Sequence, residues 1–411
     1  MANLDRSRLP FSDPLDAILA EVAVRIQLPP SKYWLAVERY RKISEWLERE
    51  GSPLKDRIAR LYPQGSMAIR ATIASGVSDG NYDIDIIAEL MLAVGVKPQE
   101  VLDLLFKAIR GEAGSRYHAM VKRRSRCVAV FYADGMHLDV TPVVLEPRLA
   151  PRTSFLFHDD PDEPTETGMT LLMNAWGFCQ WFKGRTEDGK PFSDSFAELA
   201  RSHDAYAEAE KEPVDPQEDP ARKSSDVVAL QFMKRNRNLR FEGREGRMPS
   251  SVLLSKWVGD DAIDHDSLMG ALEHHVERIR RRIAIAESRG MLVSEFNPAC
   301  DQDCFTDRWP LSRAEQQLYL SDLIGFRKAL LELRSGELSI DRIQKLLIEL
   351  FGETHVRSAV EAVQGSVGSE TQAGNTGHKP GGGIVIGGAA APGTGRSAKP
   401  NTNYGGPIEL S

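Results

Sequence analysis

Three aspartates lie in two stretches that otherwise have the composition of buried β-strands. Asp83 and Asp85 stand in YDIDII, and Asp139 stands in HLDVTPVV. Because side chains alternate along a strand, Asp83 and Asp85 project from one face while the isoleucines project from the other. Neighbouring carboxylates repel each other unless cations lie between them. A solvated strand face would explain an isolated Asp-x-Asp, but a third acid in a second apolar strand favours a functional site.

This set of acids has the chemistry of a divalent-metal site. Carboxylate oxygens are the ligands that Mg²⁺ prefers when substrate phosphates complete its coordination shell. Asp83, Asp85 and Asp139 are therefore predicted to bind two Mg²⁺ or Mn²⁺ ions. Two such ions can activate an attacking hydroxyl and neutralise a departing pyrophosphate.

A Gly-Ser pair precedes the first acidic strand in QGSMAIRATIASGVSDGNYDIDII, residues 64–87. Gly65 allows the backbone to approach a phosphate closely, and nearby amides together with the Ser66 hydroxyl can bind the β and γ oxygens of a nucleoside triphosphate. The stretch is interpreted as a phosphate-binding turn that leads into a metal-binding strand. Arg70, shortly after the pair, either reaches phosphate or is only exposed.

Helices and strands around these residues must position them. Apolar residues three or four apart predict a helix over residues 33–50, and a second helix precedes it from about 14 to 25. Pro98 suits the first turn of a helix over 98–110. Two β-rich runs around Ala133-Asp134-Gly135 predict a hairpin. Helices that alternate with a small sheet indicate a mixed catalytic lobe.

The second half of the chain is mostly helical in pattern. The run MTLLMNAWGFCQWFKGR predicts a helix, a capping box of Ser312 and Glu315 opens a helix towards Arg334, and a further helix covers about 339–351. The expected fold is α+β, with the active site in the cleft between two lobes. The predicted parts are a catalytic lobe with N-terminal helices over 1–160, a helical lobe over 168–355, and a disordered glycine-rich tail over 364–411.

Composition limits the functional classes. The formal net charge is -7, so stable binding of duplex nucleic acid is not expected. The chain shows neither a secretory signal pattern nor a run of apolar residues long enough to span a bilayer, which predicts a cytoplasmic protein without a membrane partner. With only four cysteines, reduced thiols are expected.

The order of these motifs resembles the polymerase-β-type nucleotidyltransferase superfamily, which has a Gly-Ser pair, an Asp-x-Asp strand and a third acid on a later strand. Within it, QGS…YDIDII, HLDVTPVV, WFKGR and NPAC…CFTDRWP resemble the CD-NTases of CBASS anti-phage systems, the bacterial relatives of cyclic GMP-AMP synthase. The resemblance covers roughly residues 30–335. It implies a polymerase-β-like lobe and a helical lobe.

The resemblance also assigns roles to individual residues. It implies that Asp83, Asp85 and Asp139 bind the metal ions and that Asp139 is the base for the acceptor hydroxyl. The Gln64-Gly65-Ser66 turn would contact the triphosphate. A lysine and a serine of the helical lobe would bind the phosphates of the donor nucleotide. The best matches in the helical lobe are Lys234 and Ser251, although Arg235 and Ser250 stand beside them.

The activity implied by the resemblance is synthesis of a cyclic di- or trinucleotide from nucleoside triphosphates. ATP is the expected substrate, with GTP or a pyrimidine nucleotide as further candidates, and pyrophosphate is released. The product would be a signal during phage infection. Two alternatives remain: an acceptor-dependent nucleotidyltransferase that acts on RNA, protein or a small molecule, and a non-catalytic nucleotide-binding scaffold.

The tail has two interpretations. It is an inert linker, or a short segment such as residues 383–387 or 407–410 is bound by a partner. Related systems imply HORMA-type or conjugation-type regulators as such partners. A zinc site made of Cys300, Cys304 and the adjacent His274 and His275 is disfavoured, because the spacing is unlike that of zinc knuckles.

Overall fold

The structure is a computed structural model that describes residue 11 and residues 13–74, 82–93, 95–162, 168–187, 190–203, 219–263, 265, 267–335, 338–372, 376–378 and 384–386. The helices of these residues are α1 Pro14–Ile26, α2 Pro30–Leu47, α3 Gly65–Ala68, α4 Pro98–Arg110, α5 Ala175–Arg185, α6 Lys190–His203, α7 Ser225–Phe241, α8 Ser251–Asp260, α9 Leu268–Ser288, α10 Arg313–Arg334, α11 Ile340–Phe351 and α12 Glu353–Gln372. The strands are β1 Ile58–Pro63, β2 Tyr82–Leu90, β3 Val121–Arg123, β4 Val128–Phe131, β5 Met136–Leu145, β6 Ser154–His158, β7 Met169–Met173, β8 Phe296–Asn297, β9 Cys300–Cys304, β10 Thr376–His378 and β11 Ile384–Ile386.

A mixed sheet forms the centre of the first lobe. Its strands follow the order β1-β2-β5-β4-β3, with β6 paired to β5 and β7 paired to β6. β2 and β5 run parallel, whereas the other pairs in this sheet are antiparallel. The predicted hairpin is β4 and β5, and Gly135 in its turn has a φ of 85°. The two acidic strands, distant in sequence, are therefore direct neighbours.

One face of the sheet is closed by helices. Ile84 and Ile86 of β2 and Leu138 and Val140 of β5 have no exposed surface, and they share a core with apolar residues of α2 and α4. Burial of these side chains fixes the strand register, because a shift by one residue would turn the acids inward. The opposite face, which carries the aspartates, is left for the second lobe.

The second lobe is built around α7. Leu230 and Phe232 of this helix and Trp257 of α8 are fully buried in a core to which α5 and the helices from α9 to α12 contribute. The predicted α+β fold with a sheet-containing lobe and a helical lobe is confirmed. None of the described helices is both long and apolar enough to cross a bilayer.

Two parts of the sequence-based organisation are wrong in detail. α1 was assigned to the catalytic lobe, but its apolar residues, including Leu19 and Val22, belong to the helical core. Residues 169–173 were predicted as helix and form β7, because they pair along their whole length with β6. The helix of this run begins only at Ala175, where Asn174 caps it by accepting from the Gly177 N–H at 2.7 Å.

The tail boundary also differs from the prediction. α12 continues to Gln372, past residue 364 where the tail was expected to begin. Residues 384–386, inside the apolar segment singled out at 383–387, form β11, an antiparallel partner of β10. Residues 387–411, including the second candidate segment at 407–410, lie outside the described part of the chain.

Candidate active site

The three aspartates meet at the parallel junction of β2 and β5. In the strand register Asp85 lies opposite Asp139, and Asp83 lies opposite His137. Partners in a parallel pair project to the same face, so all three carboxylates face the helical lobe. The Asp83 side chain is 50% exposed, while Asp85 and Asp139 are partly buried. The arrangement predicted from strand alternation is therefore present in three dimensions.

All the residues predicted to bind nucleotide or metal line one cleft of about 770 Å³ between the lobes. A cleft of this size is typical of small-molecule sites. Its lining includes the predicted set Gln64, Gly65, Ser66, Asp83, Asp85, Asp139, Lys234 and Ser251.

Burial and like charges both act on the acids at the floor of the cleft. Burial, reinforced by the charges of Asp139 and Asp83, raises the pKa of Asp85 to about 7. Burial also raises the pKa of Asp139, although Arg124 and His137 oppose the shift. Carboxylates whose pKa is raised in this way are stabilised in the charged form when a cation lies between them.

The Gly-Ser turn is attached directly to the acidic strand. The Gln64 N–H donates to the Asp85 carbonyl at 2.9 Å, and Gly65 has a left-handed φ of 58°. The Thr72 hydroxyl donates to Ser66 Oγ at 3.2 Å, which orients the serine. The turn thus lies where a phosphate chain could bridge the Ser66 hydroxyl and the metal-binding acids.

Lys234 and Ser251 form the opposite wall. Lys234 is only 4% exposed, and its Nζ donates to the Ala71 carbonyl at 2.7 Å. Burial and the charge of Arg237 lower its pKa to about 7. The side chain therefore ties the segment after the Gly-Ser turn to the helical lobe. It has to leave the Ala71 carbonyl if it is to bind a phosphate.

The structure separates the neighbouring residues that the sequence left ambiguous. The Ser250 hydroxyl caps α8 by accepting from the Leu253 N–H at 3.3 Å, whereas Ser251 Oγ accepts from Arg237. Arg235 donates to the Phe351 carbonyl at 3.1 Å, on the side of α7 that packs against α11. Lys234, Ser250 and Ser251 all line the cleft, but the Ser250 hydroxyl is occupied by the helix cap.

Arg237 is a cleft residue that the sequence analysis did not identify. It is 3% exposed and donates to the Pro249 carbonyl at 2.7 Å and to Ser251 Oγ at 3.2 and 3.3 Å. These two acceptors are uncharged, and burial lowers the pKa of the guanidinium to about 10. Arg237 follows Lys234 by about one helical turn, so the two side chains share a helix face, and this spacing was the signal in the sequence that could have identified it. Two buried cations on one wall make the cleft attractive to a polyanion.

Several other candidate residues have structural roles. Arg70 donates to the carbonyls of Arg222 and Asp219 at 2.9 and 3.4 Å, which links the Gly-Ser segment to the start of α7. Of the disfavoured zinc candidates, His275 bonds to Asp226 at 2.5 Å and His274 to the Asp261 carbonyl at 2.8 Å.

The acids fit a divalent cation by their chemistry. Asp139 Oδ1 is buried and has no hydrogen-bond partner, and the pKa of Asp85 is raised by burial and, to a smaller extent, by the charges of Asp139 and Asp83. Within the described residues, no group of three or more His, Cys, Asp or Glu side chains already has a metal-binding arrangement. Side-chain rotation in the cleft would be needed, and the carboxylate-rich donor set matches Mg²⁺ or Mn²⁺.

The fold and the cleft together define a two-lobed nucleotidyltransferase of the polymerase-β type. Residues 17–163 match the family described as the Second Messenger Oligonucleotide or Dinucleotide Synthetase domain. The chain is 37% identical over 396 residues to the cyclic dinucleotide synthase CdnG of Bradyrhizobium diazoefficiens. The aligned region covers 94% of this chain and 92% of that relative. The chain belongs to the CD-NTase family.

Solved structures support this assignment. The structure of the B. diazoefficiens CD-NTase CdnG in complex with GTP matches with a TM-score of 0.75 and 36% identity, over 86% of this chain and 99% of that one. The E. coli MS115-1 CdnC:HORMA-deltaN complex matches with a TM-score of 0.53 and 16% identity, over 82% of this chain and 96% of that one. The second likeness concerns the fold alone.

Proposed function

We propose that this protein joins two nucleoside triphosphates into a cyclic dinucleotide, with release of pyrophosphate, as a signal in anti-phage defence. The observation that carries the proposal is the single cleft in which three strand acids face a Gly-Ser turn and two buried cations. The similarity to a cyclic dinucleotide synthase favours a two-membered ring over a trinucleotide. ATP and GTP are the proposed substrates, and the reaction is placed in the cytoplasm, where both are available.

In this proposal each wall of the cleft has a separate task. The Gly65-Ser66 turn, Lys234 and Ser251 bind the triphosphate of the donor nucleotide, and Arg237 keeps Ser251 in place. Asp83, Asp85 and Asp139 would hold two Mg²⁺ or Mn²⁺ ions. When bound, these ions would neutralise the phosphate charge and activate the acceptor hydroxyl.

The chemical step follows from the positions of these groups. The hydroxyl oxygen of the acceptor attacks the α-phosphorus of the donor, a new phosphodiester bond forms, and the bond between the α- and β-phosphates breaks. Pyrophosphate carries away the electron pair of that bond. The hydroxyl proton passes to Asp139, whose buried Oδ1 has no hydrogen-bond partner. A second round on the linear product closes the ring.

A regulatory partner is a further part of the proposal. The related fold of CdnC is seen in a complex with a HORMA protein. A HORMA-type or conjugation-type protein that binds the chain beyond residue 386 would control synthesis without contacting the cleft. Co-purification of the full chain and a chain truncated after residue 386 with such a protein would test this, and equal binding to both would contradict a role for the tail.

Incubation of the purified protein with all four nucleoside triphosphates and Mg²⁺ or Mn²⁺ tests the proposed reaction. Phosphatase treatment followed by mass spectrometry would detect a resistant cyclic product and identify its bases. The matched control is Asp83→Ala combined with Asp85→Ala, which should form none. Consumption of nucleotide only after addition of RNA or another acceptor would contradict the proposal and support an acceptor-dependent transferase.

A further inference from the structure

The His137 side chain is in direct polar contact with one of the three acids. Its Nε2 lies 2.6 Å from Asp83 Oδ1, and the two residues are opposite each other in the parallel register of β2 and β5. His137 precedes Asp139 by two residues, so both side chains face the cleft. The imidazole is 19% exposed, whereas the carboxylate that it contacts is 50% exposed.

The imidazole ring is held in place by its neighbours. Phe131, opposite His137 in the register of β4 and β5, lies with its ring centroid 5.3 Å away at an interplanar angle of 31°. The guanidinium of Arg124 lies 5.7 Å from the Phe131 centroid. An imidazole packed against an aromatic ring in this tilted arrangement has fewer rotamers available than a free one. The direction of its Nε2 is therefore set before any ligand arrives.

Asp83 is the most exposed of the three acids. Asp85 and Asp139 are partly buried between strands, but Asp83 lies near the strand end with half of its surface in solvent. An exposed carboxylate samples several rotamers and must lose that freedom when it binds a cation. The bond to His137 fixes the carboxylate at one oxygen.

We propose that His137 is a positioning residue that orients Asp83 toward a divalent cation shared with Asp85 and Asp139. The inference rests on the proposed function, because that function requires the cation. A hydrogen bond from a neighbouring side chain to a ligating carboxylate typically changes metal affinity by about 10- to 100-fold when it is lost. The effect should therefore be visible in metal binding itself, before any nucleotide is added.

Two substitutions separate the hydrogen bond from the ring. His137→Phe retains a ring that can stack on Phe131 but removes the donor. His137→Gln loses the ring but retains an N–H donor at a similar reach. Asp83→Asn serves as the control that removes the proposed ligand. Thermal melting of each variant reports whether it is folded.

Titration of each protein with Mn²⁺ alone, followed through the electron paramagnetic resonance signal of the unbound ion, measures the affinity. We expect His137→Phe to bind Mn²⁺ about 10- to 100-fold more weakly than the unchanged protein. His137→Gln should recover most of the affinity, which a purely structural role for the ring would not produce.

Three outcomes would overturn the inference. If His137→Phe binds Mn²⁺ as well as or better than the unchanged protein while Asp83→Asn binds weakly, the metal site stands and His137 does not support it. Stronger binding in particular would mean that His137 competes with the cation for Asp83. If Asp83→Asn binds as well as the unchanged protein, both the role of His137 and the proposed metal site fail.

Discussion

A Cβ atom added to Gly65 would lie 2.7 Å from Oδ2 of Asp85. Side-chain carbons in proteins do not approach oxygen so closely, so the turn and the acidic strand are in contact without room for a methyl group. The relationship places the proposed phosphate-binding turn directly against a proposed metal ligand. The Gly-Ser pair and the Asp-x-Asp strand therefore form one structural unit.

Replacement of Gly65 by alanine should impair catalysis more than stability. The methyl group would displace the Asp85 carboxylate, and a shift of this kind costs about a hundredfold in rate. The measurement is the rate of cyclic-product formation. The control is Gly51→Ala, since Gly51 has a φ of 77° with no heavy atom within 4 Å of the added carbon. Both variants carry backbone strain of about 1–2 kcal/mol. Equal activities would contradict the proposed contact.

Asp85→Asn should abolish synthesis and still leave the protein at least as stable in metal-free buffer at pH 8. Amide substitution removes a buried charge that Asp139 and Asp83 repel. Urea unfolding with EDTA present measures the change in the free energy of unfolding.

The matched control for this test is Asp134→Asn. Lys32 and Arg39 bond to Asp134 at 3.0 and 2.8 Å, and they contribute to a pKa lowered to about 2. Loss of that stabilised charge should lower the stability. If Asp85→Asn destabilises the protein as Asp134→Asn does, the three cleft acids do not repel each other as described.

Arg237 and Ser251 should act as a unit in nucleotide binding. Arg237→Lys keeps the charge but cannot contact both Ser251 Oγ and the Pro249 carbonyl with one planar group. We expect each single substitution, Arg237→Lys or Ser251→Ala, to raise the KM for the nucleoside triphosphates about tenfold. The double substitution should cost little more than Arg237→Lys alone, because the serine is oriented by the arginine. Fully additive effects in the double-mutant cycle would contradict the coupling.

Lys223 should make the stability of the fold depend on pH. It is buried and bonds to Gln27, and burial together with Arg70 lowers its pKa to about 7, against a smaller opposing effect of Asp219. The unfolded chain holds its proton up to about pH 10.5, so the unfolded state binds more protons between pH 7 and pH 10.5. The cost of burying this lysine is thus present below pH 7 and disappears as the pH rises through this window.

Lys223→Met tests this dependence. Relative to the unchanged protein, the variant should be most stable at pH 7 and below, and this advantage should shrink as the pH rises towards 10.5. Urea unfolding at several pH values between 6 and 10 provides the comparison. A stability difference that does not vary with pH would show that Lys223 is charged, or neutral, throughout the range.

The residues of the cleft floor were predictable because local rules apply to them. Strand alternation places Asp83 and Asp85 on one face, and the apolar neighbours of Asp139 require a second strand of the same sheet. Gly65 and Ser66 could be singled out because a close backbone approach to a phosphate would need such a pair. Helices such as α4 were recognisable from periodicity and from Pro98 in the first turn.

What the sequence alone determined, then, is the set of chemical groups and the strands and helices that carry them. Tertiary structure decided which groups meet. It moved α1 to the helical core, turned residues 169–173 into a strand by pairing with β6, and brought Lys234 to the Ala71 carbonyl. The bond between His137 and Asp83 likewise depends on which strands lie side by side. Contacts between residues far apart in sequence depend on packing and register, which no local pattern contains.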